Sequence, residues 1–98
     1  MRRAGRVDSN HRLVVAAFRH WGASVHSCAQ LGDGFPDLAV GFHGANHLVE
    51  IKGRTGKLTR DQVRFFETWM GWIDVVRSAE DADALVKQWR EEGDTPWD

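Results

Sequence analysis

FPDLAVGFHGANHLVEIKG, the stretch from Phe35 to Gly53, decides how the fold is interpreted. Two apolar runs flank the segment HGAN, which is rich in turn-forming residues, so the stretch predicts a β-hairpin. A symmetric turn on Gly44–Ala45 sets Asp37 opposite Lys52 and places Glu50 on the same face of the hairpin. A slip by one residue would bury these charges among apolar side chains, so the two faces are strongly specified. The face predicted to lie in the core consists of Leu38, Val40, Phe42, Val49 and Ile51.

The sequence before the hairpin predicts a helix and a short strand. The helix spans residues 9–22, with Ser9 or Asn10 as its N-cap and Gly22 at its end. A strand follows over residues 23–31 and leads through the loop GDGF into the hairpin. The buried face of the helix is predicted to contain Leu13, Val14, Ala17, Phe18 and Trp21.

The sequence after the hairpin predicts two helices with a strand between them. Thr59 and Gln62 form a capping box that starts the first of these helices, and Gly71 ends it. The segment WIDVVR forms the strand, and AEDADALVKQWREE forms the last helix. The chain is therefore predicted to be a single α/β domain over residues 1–98, with the order α-β-β-β-α-β-α and a mixed sheet flanked by helices. The predicted irregular tails are residues 1–8 and 94–98.

Composition indicates an ordinary globular protein. The chain has 98 residues, of which 42% are hydrophobic and 28% are charged. No apolar run approaches the roughly 20 residues that are needed to span a bilayer, so no membrane partner is expected. Cys28 is the only cysteine, which excludes an internal disulfide and fits a reducing cytoplasm.

Charge is distributed unevenly along the chain. Residues 1–64 contain ten Lys and Arg against five Asp and Glu, whereas residues 65–98 contain three against nine. The basic stretch after the hairpin is compatible with a phosphate-bearing partner, although a solvated charged surface has the same composition. An alternative basic segment contains Arg2, Arg3 and Arg6. The residues predicted to contact phosphates are Arg54, Lys57, Arg60 and Arg64.

The charged face of the hairpin carries the residues of a hydrolytic metal site. Asp37 and Glu50 lie on adjacent strands, close enough to share one ion, and their oxygen atoms suit Mg²⁺ or Mn²⁺. Lys52 lies beside them, where it could orient a water molecule or stabilise charge on a phosphate. Metal-assisted phosphodiester hydrolysis uses groups of this kind. The alternative interpretation is a cross-strand ion pair between Asp37 and Lys52, with Glu50 simply solvated.

These residues resemble a known nuclease signature. Pro36-Asp37 and Glu50-Ile51-Lys52 match the PD-(D/E)xK pattern. The longer segment resembles the virus-type replication-repair nuclease (VRR-NUC) domain, in its small stand-alone type. That family has a G-x-PDL segment, an E-x-K strand and a Leu-[Ser/Thr]-x-x-Gln helix start, which correspond here to residues 34–38, 50–52 and 58–62.

The resemblance implies a restriction-endonuclease-like α-β-β-β-α-β core and a Mg²⁺- or Mn²⁺-dependent DNA endonuclease. The implied substrate is branched DNA such as the four-way (Holliday) junction, in the cytoplasm of a bacterium or of a phage-infected host cell. The basic stretch after the hairpin then becomes the DNA-binding segment.

The resemblance also implies a role for each site residue. Asp37 and Glu50 ligate the metal together with the main-chain carbonyl of Ile51, and Lys52 assists the attacking water. Gln62 belongs to the catalytic set and helps to place water or backbone. The alternative role for Gln62 is the capping box, and the two roles are compatible.

The chain departs from the family pattern on the first helix. The family often carries an acidic residue there, near the metal, whereas this chain has Leu13 at the expected position. Asn10 and Asp8 are the candidates to replace it. The departure leaves open whether one or two metal ions bind. It also supports an alternative function, a catalytically weak or inactive DNA-binding relative with the same fold.

The second predicted helix is apolar on two sides. Val63, Phe66 and Met70 form one stripe, which can face the sheet. The second stripe is hard to bury in a domain of this size, and it predicts the interface of a homodimer. The alternative is that Trp69 and Trp72 pack under the third helix. The residues predicted to form the dimer interface are Phe65, Trp69 and Trp72.

Overall fold

The computed structural model describes residues 4–93, with side chains from residue 10 onward. The predicted order of elements is confirmed. Residues 4–8 are helical, so the predicted irregular tail over residues 1–8 is wrong for this part of it. Residues 1–3 and the predicted tail over residues 94–98 lie outside the described part of the chain. The elements are α1 (Ala4–His20), β1 (Ser24–Ser27), β2 (Leu38–Phe42), β3 (Ala45–Ile51), α2 (Arg60–Thr68), β4 (Ile73–Val76) and α3 (Ala79–Gly93).

The strands form one mixed sheet in the order β1-β2-β3-β4. The first three strands are antiparallel neighbours, whereas β4 runs parallel to β3. A parallel neighbour requires a crossover connection, and α2 lies in that connection. The predicted mixed sheet flanked by helices is confirmed. Within residues 4–93, none of the helices combines the length and the apolar character needed to cross a membrane.

The hairpin turn lies one residue earlier than predicted. Phe42 pairs with Ala45, so the two central residues of the turn are His43 and Gly44. Their φ angles are 50° and 82°. Positive φ at both central positions is what a type I′ turn requires, and this turn matches the right-handed twist of the strands that it joins. The predicted turn on Gly44–Ala45 is therefore wrong.

The earlier turn shifts the pairing of the two hairpin strands by two positions. Leu38 pairs with Val49, and the same register continued by one position sets Asp37 opposite Glu50 instead of Lys52. A shift by two residues leaves each side chain on its predicted face. In the observed register the carboxylates of Asp37 and Glu50 are therefore closer together than predicted. Asp37 and Lys52 are no longer opposite each other, so the alternative cross-strand pair is lost.

Helices α1 and α3 cover the apolar face of the sheet. The predicted core face of the hairpin is confirmed, because its residues are buried apart from Ile51, which is partly exposed. Phe18 of α1 stacks on Trp89 of α3 with ring centroids 5.7 Å apart. The largest side chains below 2% exposure are those of Phe18, Leu38, Val14, Val40, Val49, Val76 and Val86, with Pro36.

Helix α1 differs from its prediction at its start and on one side. It begins at Ala4, so neither Ser9 nor Asn10 is its N-cap. Asn10 instead donates hydrogen bonds from Nδ2 to main-chain carbonyls of other elements. Leu13 is 59% exposed and does not belong to the buried face. The end of the helix agrees with the prediction, because Gly22 has a φ of +88° that favours glycine.

Two other elements are shorter than predicted. Strand β1 ends at Ser27, and a tight turn closed by the bond from the Leu31 amide to the Cys28 carbonyl replaces the rest of it. Helix α2 starts at the predicted capping box but ends at Thr68, before the predicted stop at Gly71. None of the residues in α2 is buried.

Candidate functional site

The two predicted carboxylates lie together on the sheet face that is opposite to α1 and α3. Asp37 immediately precedes β2, and Glu50 lies near the end of β3. The Asp37 Oδ2 atom accepts a hydrogen bond from the main-chain amide of Ile51 at 2.9 Å. This bond fixes the Asp37 side chain beside β3, so the neighbouring strand itself holds the two carboxylates in place.

Glu50 is the most unusual residue of the site. It is a carboxylate with only 3% exposure. Its Oε2 atom accepts a hydrogen bond from the Gln62 Nε2 atom at 2.9 Å and lies 3.6 Å from the Lys52 Nζ atom. Its Oε1 atom is buried without a hydrogen-bond partner among the described residues. A buried carboxylate oxygen is costly unless it binds a donor or a cation, so this oxygen marks a place for one.

The electrostatic surroundings of Glu50 lead to the same conclusion. Burial, and next the charge of Asp37, raise the pKa of Glu50 from 4.5 to about 7, while Lys52 opposes the rise. The lysine therefore only partly compensates the buried charge. A divalent cation shared with Asp37 would compensate the charges of both carboxylates.

The Gln62 side chain completes the predicted capping box and also contacts the site. Its Oε1 atom accepts from the Thr59 amide, and the Thr59 hydroxyl accepts from the Gln62 amide, so the capping box is complete. Its Nε2 atom is the one that binds Glu50. The start of α2 is thereby attached to the carboxylate of the site.

The loop before Asp37 approaches the start of α2 very closely. Gly34 has a φ of +80°, and a Cβ atom at this position would collide with the main chain of Asp61 and Gln62. Glycine is required here for its conformation and for its size. Phe35 follows and packs edge-on against the ring of Phe65, with centroids 5.2 Å apart. These contacts keep α2 over the site.

The described residues of α1 bring no carboxylate to the site. Asn10 donates to the main-chain carbonyls of Lys52, at 3.3 Å, and Arg77, at 3.4 Å, so it joins the ends of β3 and β4. Leu13 points to solvent, and the Asp8 side chain lies outside the described part. Among the residues that the structure describes, no group of three or more His, Cys, Asp or Glu side chains is arranged to hold a metal ion. A metal here would rely on two carboxylates and on main-chain or water oxygens, which is common for Mg²⁺.

No protein-family model matches the chain, and no curated protein or solved structure is significantly similar to it. Function is therefore inferred from the residues of the chain and their arrangement. Asp37, Glu50, Lys52 and Gln62 are the part of that arrangement that the sequence singles out and the structure brings together.

The predicted phosphate-contacting residues are all exposed. They lie in the loop between β3 and α2 and on the first turns of α2, directly after Lys52. Arg77, which sequence reasoning missed, shapes this loop, because its Nη1 atom donates to the carbonyls of Gly53 and Gly56, each at 2.7 Å. The only sequence signal was a lone arginine at the end of a predicted strand, which does not reveal a contact with a loop 21–24 residues away.

The predicted dimer-interface residues do not form one stripe. Phe65 and Trp69 stack with centroids 5.0 Å apart and surround Phe35 on the site side of the sheet. Trp72 lies beyond the end of α2 and approaches the ring of His47, at 6.1 Å. The prediction of a single helical stripe through Trp72 is wrong, because α2 ends before this residue. Trp69 is 42% exposed and Trp72 63% exposed.

Proposed function

We propose that this chain is a metal-dependent DNA endonuclease with a restriction-endonuclease-like core of the VRR-NUC type. The observation that carries the proposal is the buried Glu50 carboxylate, which has one oxygen atom without a partner among the described residues and lies beside Asp37 and Lys52. A structural ion pair alone would leave this oxygen unexplained. A cation bound between the carboxylates would satisfy it.

Each residue of the site has a chemical role in this proposal. Asp37, Glu50 and the Ile51 carbonyl would hold Mg²⁺ or Mn²⁺, which supplies Lewis-acid activation for phosphodiester hydrolysis. Lys52, whose ammonium group lies 3.6 Å from the Glu50 carboxylate, orients the attacking water and stabilises negative charge on the phosphate. Gln62 fixes the Glu50 side chain through its amide. Hydrolysis breaks one P–O bond of the DNA backbone and consumes one water molecule.

The second candidate function is a DNA-binding relative that has little or no activity. The observation that favours it is the lack of a third acidic side chain at the site among the described residues. Asn10, a candidate to replace that residue, uses its amide for main-chain contacts. A protein of this kind would bind DNA through the basic loop and would not bind a metal ion.

A cleavage panel separates the two candidates. The purified chain is incubated with single-stranded, duplex, flap and four-way-junction DNA, with Mg²⁺, with Mn²⁺ and with a chelator. Calorimetry measures metal binding in parallel. An endonuclease cleaves at least one substrate, branched DNA being the expected one, only when the metal is present. Binding of DNA with neither cleavage nor metal binding would reject the enzyme and favour the second candidate.

Replacement of Arg54, Lys57 and Arg60 by Gln is expected to weaken DNA binding and to reduce its salt dependence. Each phosphate contact that is lost removes close to one released counterion, so the slope of log K against log salt should fall by about 2–3 for duplex DNA. Fluorescence anisotropy at several salt concentrations measures the slope. Arg12→Gln with Lys87→Gln is the control. An unchanged slope would place the DNA elsewhere, for example at the segment with Arg2, Arg3 and Arg6.

The exposed aromatic surface of α2 is proposed to pair with a second copy of the chain. Phe65 lies on a helix without buried residues and Trp69 is the C-cap of that helix, and aromatic side chains of this kind dominate stable interfaces. A symmetric pair would present two metal sites to the two strands of a branched DNA.

Phe65→Glu combined with Trp69→Glu is expected to yield a folded monomer, because two carboxylates would be buried without partners in the interface. Light scattering after size exclusion measures the mass and decides the outcome. Junction cleavage should fall as well, with the loss of the dimer and because Phe65 no longer packs on Phe35 to hold α2 over the site. Leu13→Glu, at an exposed leucine of α1, is the matched control. A wild-type chain that is monomeric at tens of micromolar would contradict the proposal.

A further inference from the structure

A cavity of about 410 Å³ lies at the hairpin end of the sheet. It is bounded by Phe42 and His47 of the hairpin, Trp72 before β4, and Trp89 and Glu92 of α3. Asp37 and Glu50 lie at the other end of β3 and on the opposite face of the sheet. The cavity is therefore separate from the proposed metal site, and nothing in the nuclease chemistry uses it.

Aromatic rings form most of its walls. The imidazole of His47 stacks on Trp89 with centroids 3.6 Å apart and planes 13° apart. Trp89 also contacts Phe42, at 6.3 Å, and His47 contacts Trp72, at 6.1 Å. Trp72 is 63% exposed and borders the open side. Trp89 is nearly buried and stacks on both Phe18 and His47, so Trp72 is the wall that can attract a cation through the negative charge of its ring face.

The charged groups at this cavity are acidic. Glu92 lines it, and the described lining residues include neither Lys nor Arg. Glu92 accepts a hydrogen bond from Gln88 at 3.2 Å and contributes negative charge to the cavity. Asp74 lies close by on β4, where burial and then the charge of Glu92 raise its pKa. A cation entering the cavity would therefore meet an acidic environment.

His47 strengthens this preference. It is 5% exposed, and its Nδ1 atom is buried without a hydrogen-bond partner among the described residues. Burial lowers the pKa of His47, against the opposing effect of Glu92, so the ring is neutral near pH 7. A neutral imidazole does not repel a cation.

We propose that this cavity binds the guanidinium group of an arginine side chain from a partner polypeptide. The guanidinium is planar and weakly hydrated, stacks on aromatic rings and carries N–H donors in several directions. It therefore matches the exposed Trp72 indole and the Glu92 carboxylate together, beside an imidazole that carries no opposing charge. A lysine ammonium is compact and strongly hydrated, so it fits an aromatic cavity less well.

Titration of the full chain with two blocked amino acids tests the proposal. N-acetyl-arginine methylamide is the probe. N-acetyl-citrulline methylamide has the same shape without the charge. Proton–nitrogen NMR follows the tryptophan indole signals. The arginine probe should shift the Trp72 and Trp89 signals saturably and leave the Trp21 signal unmoved, and the citrulline probe should bind about tenfold more weakly or less.

Two pairs of variants make the test specific. Trp72→Ala should abolish the response, whereas Trp69→Ala, at an exposed tryptophan outside the cavity, should preserve it. Glu92→Gln should weaken binding of the arginine probe and not of the citrulline probe, whereas Glu91→Gln should change neither. Equal binding of the two probes, or no saturable shift, would overturn the proposal. If the tryptophan signals shifted with protein concentration in the absence of a probe, the arginine would come from a second copy of this chain. The proposed partner polypeptide would then be wrong.

Discussion

Replacement of Asp37 by Asn, or of Glu50 by Gln, is expected to abolish DNA cleavage while the chain remains folded. Either change removes one negative charge from the proposed metal site with little change in side-chain volume. Loss of the several kcal/mol that a metal supplies to the transition state corresponds to a rate reduction on the order of 10³-fold. Single-turnover cleavage of the best substrate in Mg²⁺ or Mn²⁺ measures the effect, with calorimetry to confirm that metal binding is weakened.

Exposed carboxylates near the site provide matched controls. Asp33→Asn removes a charge four positions before Asp37, at a φ of 57° that Asn adopts readily. Glu67→Gln removes an exposed charge from α2. Both controls should cleave at the wild-type rate. If both site variants cleaved like these controls, Asp37 and Glu50 would not be metal ligands and the proposed enzyme would be wrong.

The second large effect concerns stability in the absence of metal. The folded chain raises the pKa of Glu50 from 4.5 to about 7, so the folded state binds this proton more tightly than the unfolded state. The contribution of Glu50 to the free energy of unfolding should therefore decrease as the pH rises from about 4.5 to 7, and it should not recover above pH 7. A pKa difference of this size corresponds to about 3 kcal/mol.

Glu50→Gln removes this titration and should stabilise the metal-free chain at pH 8 by a similar amount. Urea unfolding of both proteins in a chelator, at pH 5 and at pH 8, measures the difference. The titrations of His47 and Asp74 are common to both proteins and largely cancel. Addition of Mg²⁺ or Mn²⁺ at pH 8 should stabilise the wild type and not the variant. A variant that is no more stable than the wild type at pH 8 would show that the buried, ionised Glu50 carboxylate does not destabilise the metal-free chain.

Much of the fold follows from local chemistry that the sequence displays. The capping box of Thr59 and Gln62 is contained in four residues, and the structure has it as predicted. The division of the hairpin into a charged and an apolar face follows from alternation alone, so the wrong turn position did not affect it. The same alternation places Asp37 and Glu50 on one face, and a change of register by two residues leaves them there.

The remaining features depend on contacts between distant residues. The segment HGAN allows more than one turn, and the twist of the paired strands selects the one that places His43 at positive φ. Asn10 resembles an N-cap locally, but its partners are carbonyls at positions 52 and 77. Arg77 likewise shapes a loop that precedes it by more than twenty residues. No local sequence pattern predicts a contact between residues that are this far apart in the chain.

The lack of buried residues in α2 has a consequence for the order of folding. Helices α1 and α3 and the sheet share one hydrophobic core, to which α2 contributes no residue. Helix α2 is attached through Gly34, Phe35 and the bond from Gln62 to Glu50. We therefore expect α2 to be a unit of low local stability that opens without global unfolding. On this expectation the core forms before the site is complete, and the residues that close the site are the first to be released.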